Sequence, residues 1–481
     1  MQVLARLKSL INVEPNERLK VLFLSLAFFI VIGAYTIANE LKSSVFVQIV
    51  GKESIPHARI AAMFFLVPLI FFYSRLVDAM RRYQLLYIYS VAFGLLGLVF
   101  TYFLSHPTIG IPNTEQSSSR IFGWLFYFFV EAYSPFLISV FWAFANSINS
   151  PESAKKNYAI IVAGSKLGGM FTSALAVYLL GYVCLPIQDS LRIDTINHQI
   201  LLGGASLLLL SIPFIVHFFM RLIPGRQLHG YEAVYQFEKQ KSHAVEVEAK
   251  KETIFETIQT ALLGMTNGLT LMINQPYVLG IFGMVFFHEV IYVIFSYIRI
   301  SVVESTSSTM TDFTCSLYQQ IFFVHFIGFI ITLVGTRPLL EKLGERFCLL
   351  IIPAVEGVFL LYLLASYSSN AVFIGFITLR AINFAFSQPI RESLYIPTVK
   401  DLKFKSKSWI DAFGSKFAKS TGSTFNIVAS RLGTGWFMPL HAGFFAVVLG
   451  AWFVTANLLG KRFDRAVANN EVIGAEEEVV A

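Results

Sequence analysis

Charge is scarce in this chain. Asp, Glu, Lys and Arg make up 14% of its 481 residues, where a soluble protein carries roughly 25%. That deficit excludes a globular enzyme with a surface built for water. Cysteine is scarcer still. Cys184, Cys315 and Cys348 are scattered, with no CxxC pair and no metal-ligand spacing. Neither a disulfide framework, a zinc site nor another cofactor is implied. No Ser/His/Asp set and no Walker loop is present, so enzymatic chemistry has no candidate residues. The N-terminus lacks a cleavage site before the first apolar run and the Ser/Arg-rich character of a transit peptide, so that run is read as retained. The formal charge of +7 does not point to nucleic acid; in an apolar chain the question is where the cations lie.

Apolar residues are what the chain has. They make up 55% of it, with 48 Phe and a mean hydropathy of +0.64. A spanning helix needs about 20 such residues. Twelve segments qualify: 20–41, 57–77, 83–104, 119–148, 157–183, 199–221, 277–299, 314–335, 346–367, 370–397, 408–431 and 437–460. The expectation is an all-α membrane protein with twelve transmembrane helices. Most lysines and arginines fall on one side of it: Arg6, Lys8, Arg18 and Lys20; Arg75, Arg81 and Arg82; Lys155 and Lys156; Arg337, Lys342 and Arg346; Lys400, Lys403, Lys405 and Lys407; and Lys461, Arg462 and Arg465. The positive-inside rule then places both termini inside. The expected organisation is a six-helix half over 1–221, an inner linker over 222–276, a second six-helix half over 277–463 and a tail over 464–481. The linker reads as a charged stretch followed by an amphipathic helix at the membrane surface, or as a plain tether.

The halves look related. SRLVDAMRRYQLL after the second span parallels TRPLLEKLGERFCLL after the eighth, and Gly164-Ser165-Lys166 in the fifth parallels Gly414-Ser415-Lys416 in the eleventh. Two six-span halves in parallel repeat resemble the plan of major-facilitator transporters. The loop with Asp78 also resembles that superfamily's gating loop.

Four ionisable residues sit where hydrocarbon makes them costly: Lys42, Glu131, Glu289 and Lys419. Such residues face a bundle interior, a partner or a wet path, and mark a functional site by default. Two cations and two anions from both halves suggest a polar cavity for a charged solute. Several runs stand beside them. In FWAFANSIN, Phe141, Trp142 and Phe144 lie beside Asn146 and Asn149; they read either as a stacking and hydrogen-bonding platform for a heterocyclic base or as an interfacial aromatic belt. Pro389 and Pro397 break a helix near the membrane, Arg391 and Glu392 are expected to pair, and the lysines at 403, 405 and 407 either attract phosphate or mark the inner face. The small residues around Lys419 read as close ligand approach or as helix packing. His288 beside Glu289 suggests a proton-coupled pair, or else a structural hydrogen bond across helices.

At these residues the chain resembles the nucleotide transporter family of bacterial and plastid ATP/ADP translocases. FWAFANSIN–SAKKNY, ESLYIP–KFKSKSWID, AKSTGS and NELKSS–KESI are similar to that family's motifs, from the first span to the eleventh. The resemblance implies ATP and ADP as substrates, a lipid bilayer as surroundings and two essential lysine–glutamate sets. By local motif these are Lys42, Glu131, Glu289 and Lys419, with Trp142, Phe144, Asn146 and Arg391 as further substrate-binding candidates. The departures are Thr421 and Ser423 in place of glycines, Ser43 in place of an acid, and an apolar VIYVIF where basic residues are expected. The reading is ATP/ADP exchange by alternating access in a bacterial inner membrane. The alternatives are a proton-coupled importer of nucleotides or another phosphorylated anion, and a non-transporting scaffold or sensor.

Overall fold

The computed structural model describes residues 13–149 apart from 16, 151–182, 189–223, and 269–474 apart from 271, 335–336, 367, 384–386, 400–405 and 433. Most of the expected linker, Lys403, Lys405, Cys184, the end of the tail and the side chain of Asp78 lie outside the described residues. The described chain is helical. Twelve principal helices take up the twelve apolar segments: α1 (Arg18–Ile49), α2 (Ile55–Ala79), α3 (Arg82–Leu104), α4 (Ile121–Ile148), α5 (Pro151–Tyr182), α6 (Ser190–Leu222), α7 (Pro276–Thr306), α8 (Met310–Val334), α9 (Arg337–Ser366), α10 (Ser369–Ile382), α11 (Ser415–Arg431) and α12 (Thr434–Ala468). Among the described residues nine of them are long and apolar enough to cross a membrane. Two of the others are short for local reasons. The tenth segment stops at Ile382 and restarts as the short helix Gln388–Leu394, with Pro389 in its first turn, where proline is tolerated because its missing N–H has no helical partner. α11 is rich in Ser, Thr and Lys and buries only the stripe Ala418, Gly422, Asn426 and Ala429, with Ser423 beside it.

Packing divides the chain into two compact units. The first comprises Met1–Ala58, Phe64–Lys250 and Val303–Val334; the second comprises Arg59–Met63, Lys251–Val302 and Gly335–Ala481. In the first unit α8 packs on α5, α1 and α6. Polar side chains fix its register there. Tyr318 Oη donates to the Ile37 carbonyl at 2.8 Å, His325 Nε2 meets Thr36 Oγ1 at 3.1 Å, and the Thr311 amide donates to Asp194 Oδ1 at 2.9 Å. His198 Nε2 meets Thr314 Oγ1 at 2.8 Å. Buried polar groups need such partners, and each partner selects one register.

The glycines of the fifth span do packing work. A Cβ on Gly168 would stand 2.2 Å from the Phe29 carbonyl oxygen, and one on Gly164 would stand 3.1 Å from Ser25. α1 and α5 therefore approach backbone to backbone, as small-residue motifs allow where no hydrophobic drive separates helix from lipid. In the second unit, a Cβ on Gly422 of α11 would stand 2.9 Å from the Val290 carbonyl of α7. Ile410, buried with Val278 and Val285, and Trp409, edge-on to Phe282 at 5.9 Å, seat the start of that segment on α7. The fifth and eleventh segments thus press on the first and seventh in the same manner.

This contact sets a test of packing. Gly168→Ala is expected to destabilise the purified protein by roughly 1–3 kcal/mol through overpacking, seen as a lower melting temperature in detergent. Gly204→Ala, where nothing lies within 4 Å of the added carbon, is the matched control and should not lower it. Equal melting of the two would mean that α1 and α5 do not meet at this distance.

Candidate functional site

In the first unit, Lys42 lies on α1 and Glu131 on α4. Lys42 Nζ stands 2.6 Å from Glu131 Oε1, with only 11% and 21% of the two side chains exposed. Helical spacing assembles the rest. Asn39, one turn before Lys42, accepts from Nζ through Oδ1 at 3.2 Å. Tyr127, one turn before Glu131, offers its ring 5.0 Å from the same ammonium. Residues three or four apart share a helix face, so each helix contributes two groups to one ammonium. Asn39 also donates to Glu40 Oε1 at 3.0 Å. Glu40 is buried, and the sequence reading missed it although it lies two residues from Lys42.

In the second unit, Lys419 of α11 and Glu289 of α7 form a looser pair, Nζ to Oε2 3.7 Å, with 34% and 17% of the side chains exposed. That distance makes an ion pair but not a hydrogen bond. His288, Arg391 and Arg380 also act electrostatically on Glu289. The cations absent from the sequence immediately after Glu289 are therefore supplied by tertiary structure, from α10 and from the short helix Gln388–Leu394.

Both pairs lie beside a π-turn. One spans Ser134–Ile138, three residues after Glu131, and the other spans Ile410–Gly414, five before Lys419. A π-turn adds a residue to one turn and rotates the side chains on its two sides relative to each other, and such turns concentrate at functional sites. Polar residues follow each turn: Asn146 in α4 with Asn149 just past its end, and Ser420, Thr421 and Ser423 beside Lys419 in α11.

The other predicted residues divide. Phe141 stacks on Phe28 at 4.3 Å and Phe144 meets the edge of Phe219 at 5.7 Å, both buried; they bind α4 to α1 and α6. Trp142 is half-buried, 5.2 Å from the ring of Tyr158. Asn146 is exposed and accepts from Tyr158 Oη at 2.5 Å. Trp142, Asn146 and Tyr158 thus form one accessible cluster; Tyr158 ends the SAKKNY run, which the sequence reading used as a motif without assigning the tyrosine a role. The expected Arg391–Glu392 pair does not form. Adjacent residues on a helix do not face each other, and Glu392 instead accepts from Lys407 at 2.6 Å. His288 likewise faces away from Glu289 and reaches Glu356 of α9, Nδ1 to Oε1 2.8 Å. Glu356, flanked by apolar residues in the ninth span, satisfies the criterion that selected Glu131 and was overlooked. Arg299, buried with its guanidinium 3.8 Å from the Phe376 ring centroid, was missed too.

Comparison with known proteins bears on what these pairs serve. The sequence profile of the TLC ATP/ADP transporter family matches residues 3–463. ADP,ATP carrier protein 1 of Rickettsia bellii is 22% identical over 95% of this chain and 96% of its own length. Chloroplastic ADP,ATP carrier protein 2 of Arabidopsis thaliana is 22% identical over 96% of this chain and 77% of its own. Among solved structures, a D-xylose-proton symporter superposes with a TM-score of 0.61 at 12% identity, over 92% of this chain and 97% of the other. The fold is that of major-facilitator transporters.

The Lys42–Glu131 contact predicts strong coupling. Lys42→Met takes the ammonium from a partly buried carboxylate and is expected to cost roughly 1–3 kcal/mol, much of it regained in Lys42→Met/Glu131→Leu. The matching cycle at Lys419 and Glu289 should show a smaller coupling, since the pair is longer and wetter. Thermal melts of the single and double variants decide the matter. Strictly additive losses at Lys42 and Glu131 would show that the two charges do not support each other.

Proposed function

We propose that this chain, which belongs to the TLC ATP/ADP transporter family, exchanges ATP for ADP across a membrane by alternating access. Members of this family are membrane transporters rather than enzymes. The observation that carries the finer reading is the pairing of a lysine with a carboxylate in each unit, at 2.6 Å and at 3.7 Å. A lysine held by a carboxylate is a phosphate site with a built-in competitor. Phosphate oxygens displace the carboxylate from the ammonium, a compact and strongly hydrated point charge, and the acid gives up that partner. When the nucleotide departs, the acid returns to the lysine.

Trp142, Asn146 and Tyr158 are assigned to the purine. A half-buried indole offers a stacking face, and the amide offers a donor and an acceptor. Arg391 adds positive field in the second unit. Exchange follows if the lysine–carboxylate pairs that re-form without nucleotide hold their helices and make the unliganded carrier slow to reorient. The sequence repeat supports halves over 1–221 and 277–463, and the excess of cations on one side supports inward-facing termini.

The test is uptake of labelled ATP into vesicles holding ADP or nothing. Uptake is expected only into ADP-loaded vesicles, with about a hundredfold loss in Lys42→Ala or Lys419→Ala, equivalent to about 2.7 kcal/mol of transition-state binding. Rapid uptake into empty vesicles would remove obligatory exchange, and no uptake or binding of any nucleotide would favour a scaffold. Separately, Trp142→Ala should raise the half-saturating ATP concentration roughly tenfold, the loss of one stacked base, with the maximal rate nearly kept. An unchanged concentration dependence would take the indole out of the site.

A further inference from the structure

Behind the Trp142, Asn146 and Tyr158 cluster runs a chain of buried polar side chains that begins at the entry to the first helix. Glu17, at the start of α1, divides its carboxylate between two donors. Oε1 accepts from Lys20 Nζ at 3.2 Å, and Oε2 accepts from Asn157 Nδ2 at 2.7 Å. Asn157 Nδ2 also donates to Ser153 Oγ at 3.2 Å, and Ser153 Oγ donates to Asn149 Oδ1 at 3.2 Å. Asn149 then donates to the Ala145 carbonyl at 2.7 Å, just past the end of α4. Lys20, Asn149, Ser153 and Asn157 are all buried. Ser153 and Asn157 lie one turn apart on α5 and share a face. A bond made only to join α1 to α5 would end at Asn157. This run continues through α5 to the end of α4.

Both helices at the far end of the run carry the cluster. Tyr158 follows Asn157 on α5, and Asn146 lies three residues before Asn149 on α4. Tyr158 Oη donates to Asn146 Oδ1 at 2.5 Å, and its ring lies 5.2 Å from that of Trp142. Asn149 also stands close enough to Tyr158 to act on its hydroxyl. Consecutive residues on a helix point in different directions. The rotation of α5 that turns Asn157 inward to Glu17 therefore turns Tyr158 toward Trp142 and Asn146. A glutamate suits the origin of the run, because an ammonium and an amide N–H both donate and both carboxylate oxygens accept. Glutamine at the same place has one acceptor and one donor group, so one of the two partners loses its bond. A buried donor without an acceptor is costly, and α5 escapes that cost by shifting.

We propose that Glu17, acting through Asn157, Ser153 and Asn149, is a positioning residue that holds Tyr158 and Asn146 against Trp142 and so sets how strongly the carrier prefers a purine to a pyrimidine base. The proposal rests on the assignment of that cluster to the purine, and its test separates the two. Unlabelled ATP and UTP are made to compete with labelled ATP for uptake into ADP-loaded vesicles. Glu17→Gln and Ser153→Ala, which cut the run at two different links, are expected to narrow the preference for ATP over UTP about threefold to tenfold, in the direction of Trp142→Ala, which forfeits the stacked base, with the rate at saturating ATP kept within about twofold. An equal loss for ATP and UTP, the mark of a merely structural role, overturns the proposal. A preference unchanged in both variants but narrowed in Trp142→Ala overturns it too. A second measurement needs no transport. The emission of Trp142, taken as the difference between each protein and the same protein carrying Trp142→Phe, is expected to shift in Glu17→Gln and in Ser153→Ala as the Tyr158 ring moves. Emission identical to wild type in both variants also overturns the proposal. If Trp142→Ala leaves the base preference unchanged, or wild type moves no nucleotide, the purine assignment fails and the emission alone decides whether Glu17 positions the cluster.

Discussion

A charge removed from water must be given a partner, and in this chain that requirement organises the interior. Lys42 and Glu131 meet at 2.6 Å with little solvent, and neither would be tolerated alone in hydrocarbon. The pairing joins α1 to α4, Lys419 and Glu289 join α11 to α7, and His288 and Glu356 join α7 to α9. Each contact holds two helices together.

The contacts depend on backbone detail. Gly164 and Gly168 bring α5 against α1, fixing the helix that carries Lys42. The π-turns at Ser134–Ile138 and Ile410–Gly414 reset the helix phase next to Glu131 and Lys419. Without that reset, a uniform helix of 3.6 residues per turn would present a different set of side chains beyond the turn. The small and hydroxyl residues of α11 serve packing in part, since Gly422 faces the Val290 carbonyl, and leave Lys419 partly accessible.

Much was legible in the linear chain. Apolar length located the helices, and the expense of charge in apolar surroundings selected Lys42, Glu131, Glu289 and Lys419 before any partner was visible. Family motifs at the same positions matched the family later found over residues 3–463. Local inference failed where neighbours in sequence were assumed to be neighbours in space. Arg391 was given to Glu392, yet consecutive residues on a helix diverge and Glu392 meets Lys407; His288 was read either with Glu289 or as a hydrogen bond across helices, and it meets Glu356 of α9. Phe144 shared a motif with Trp142 and Asn146 but points into packing against Phe219, because helical phase separates residues that a motif prints side by side.

Composition and periodicity by themselves determined that this is a many-helix membrane protein, and the membrane cost of charge singled out Lys42, Glu131, Glu289 and Lys419 as candidates, because both follow from solvation of each segment on its own. Which lysine meets which glutamate, which acid takes the histidine, and where Arg380 and Arg391 apply their field were decided only in the tertiary structure. Those are contacts between segments far apart in the chain, set by helix phase, π-turns and close glycine packing, and no local pattern encodes them.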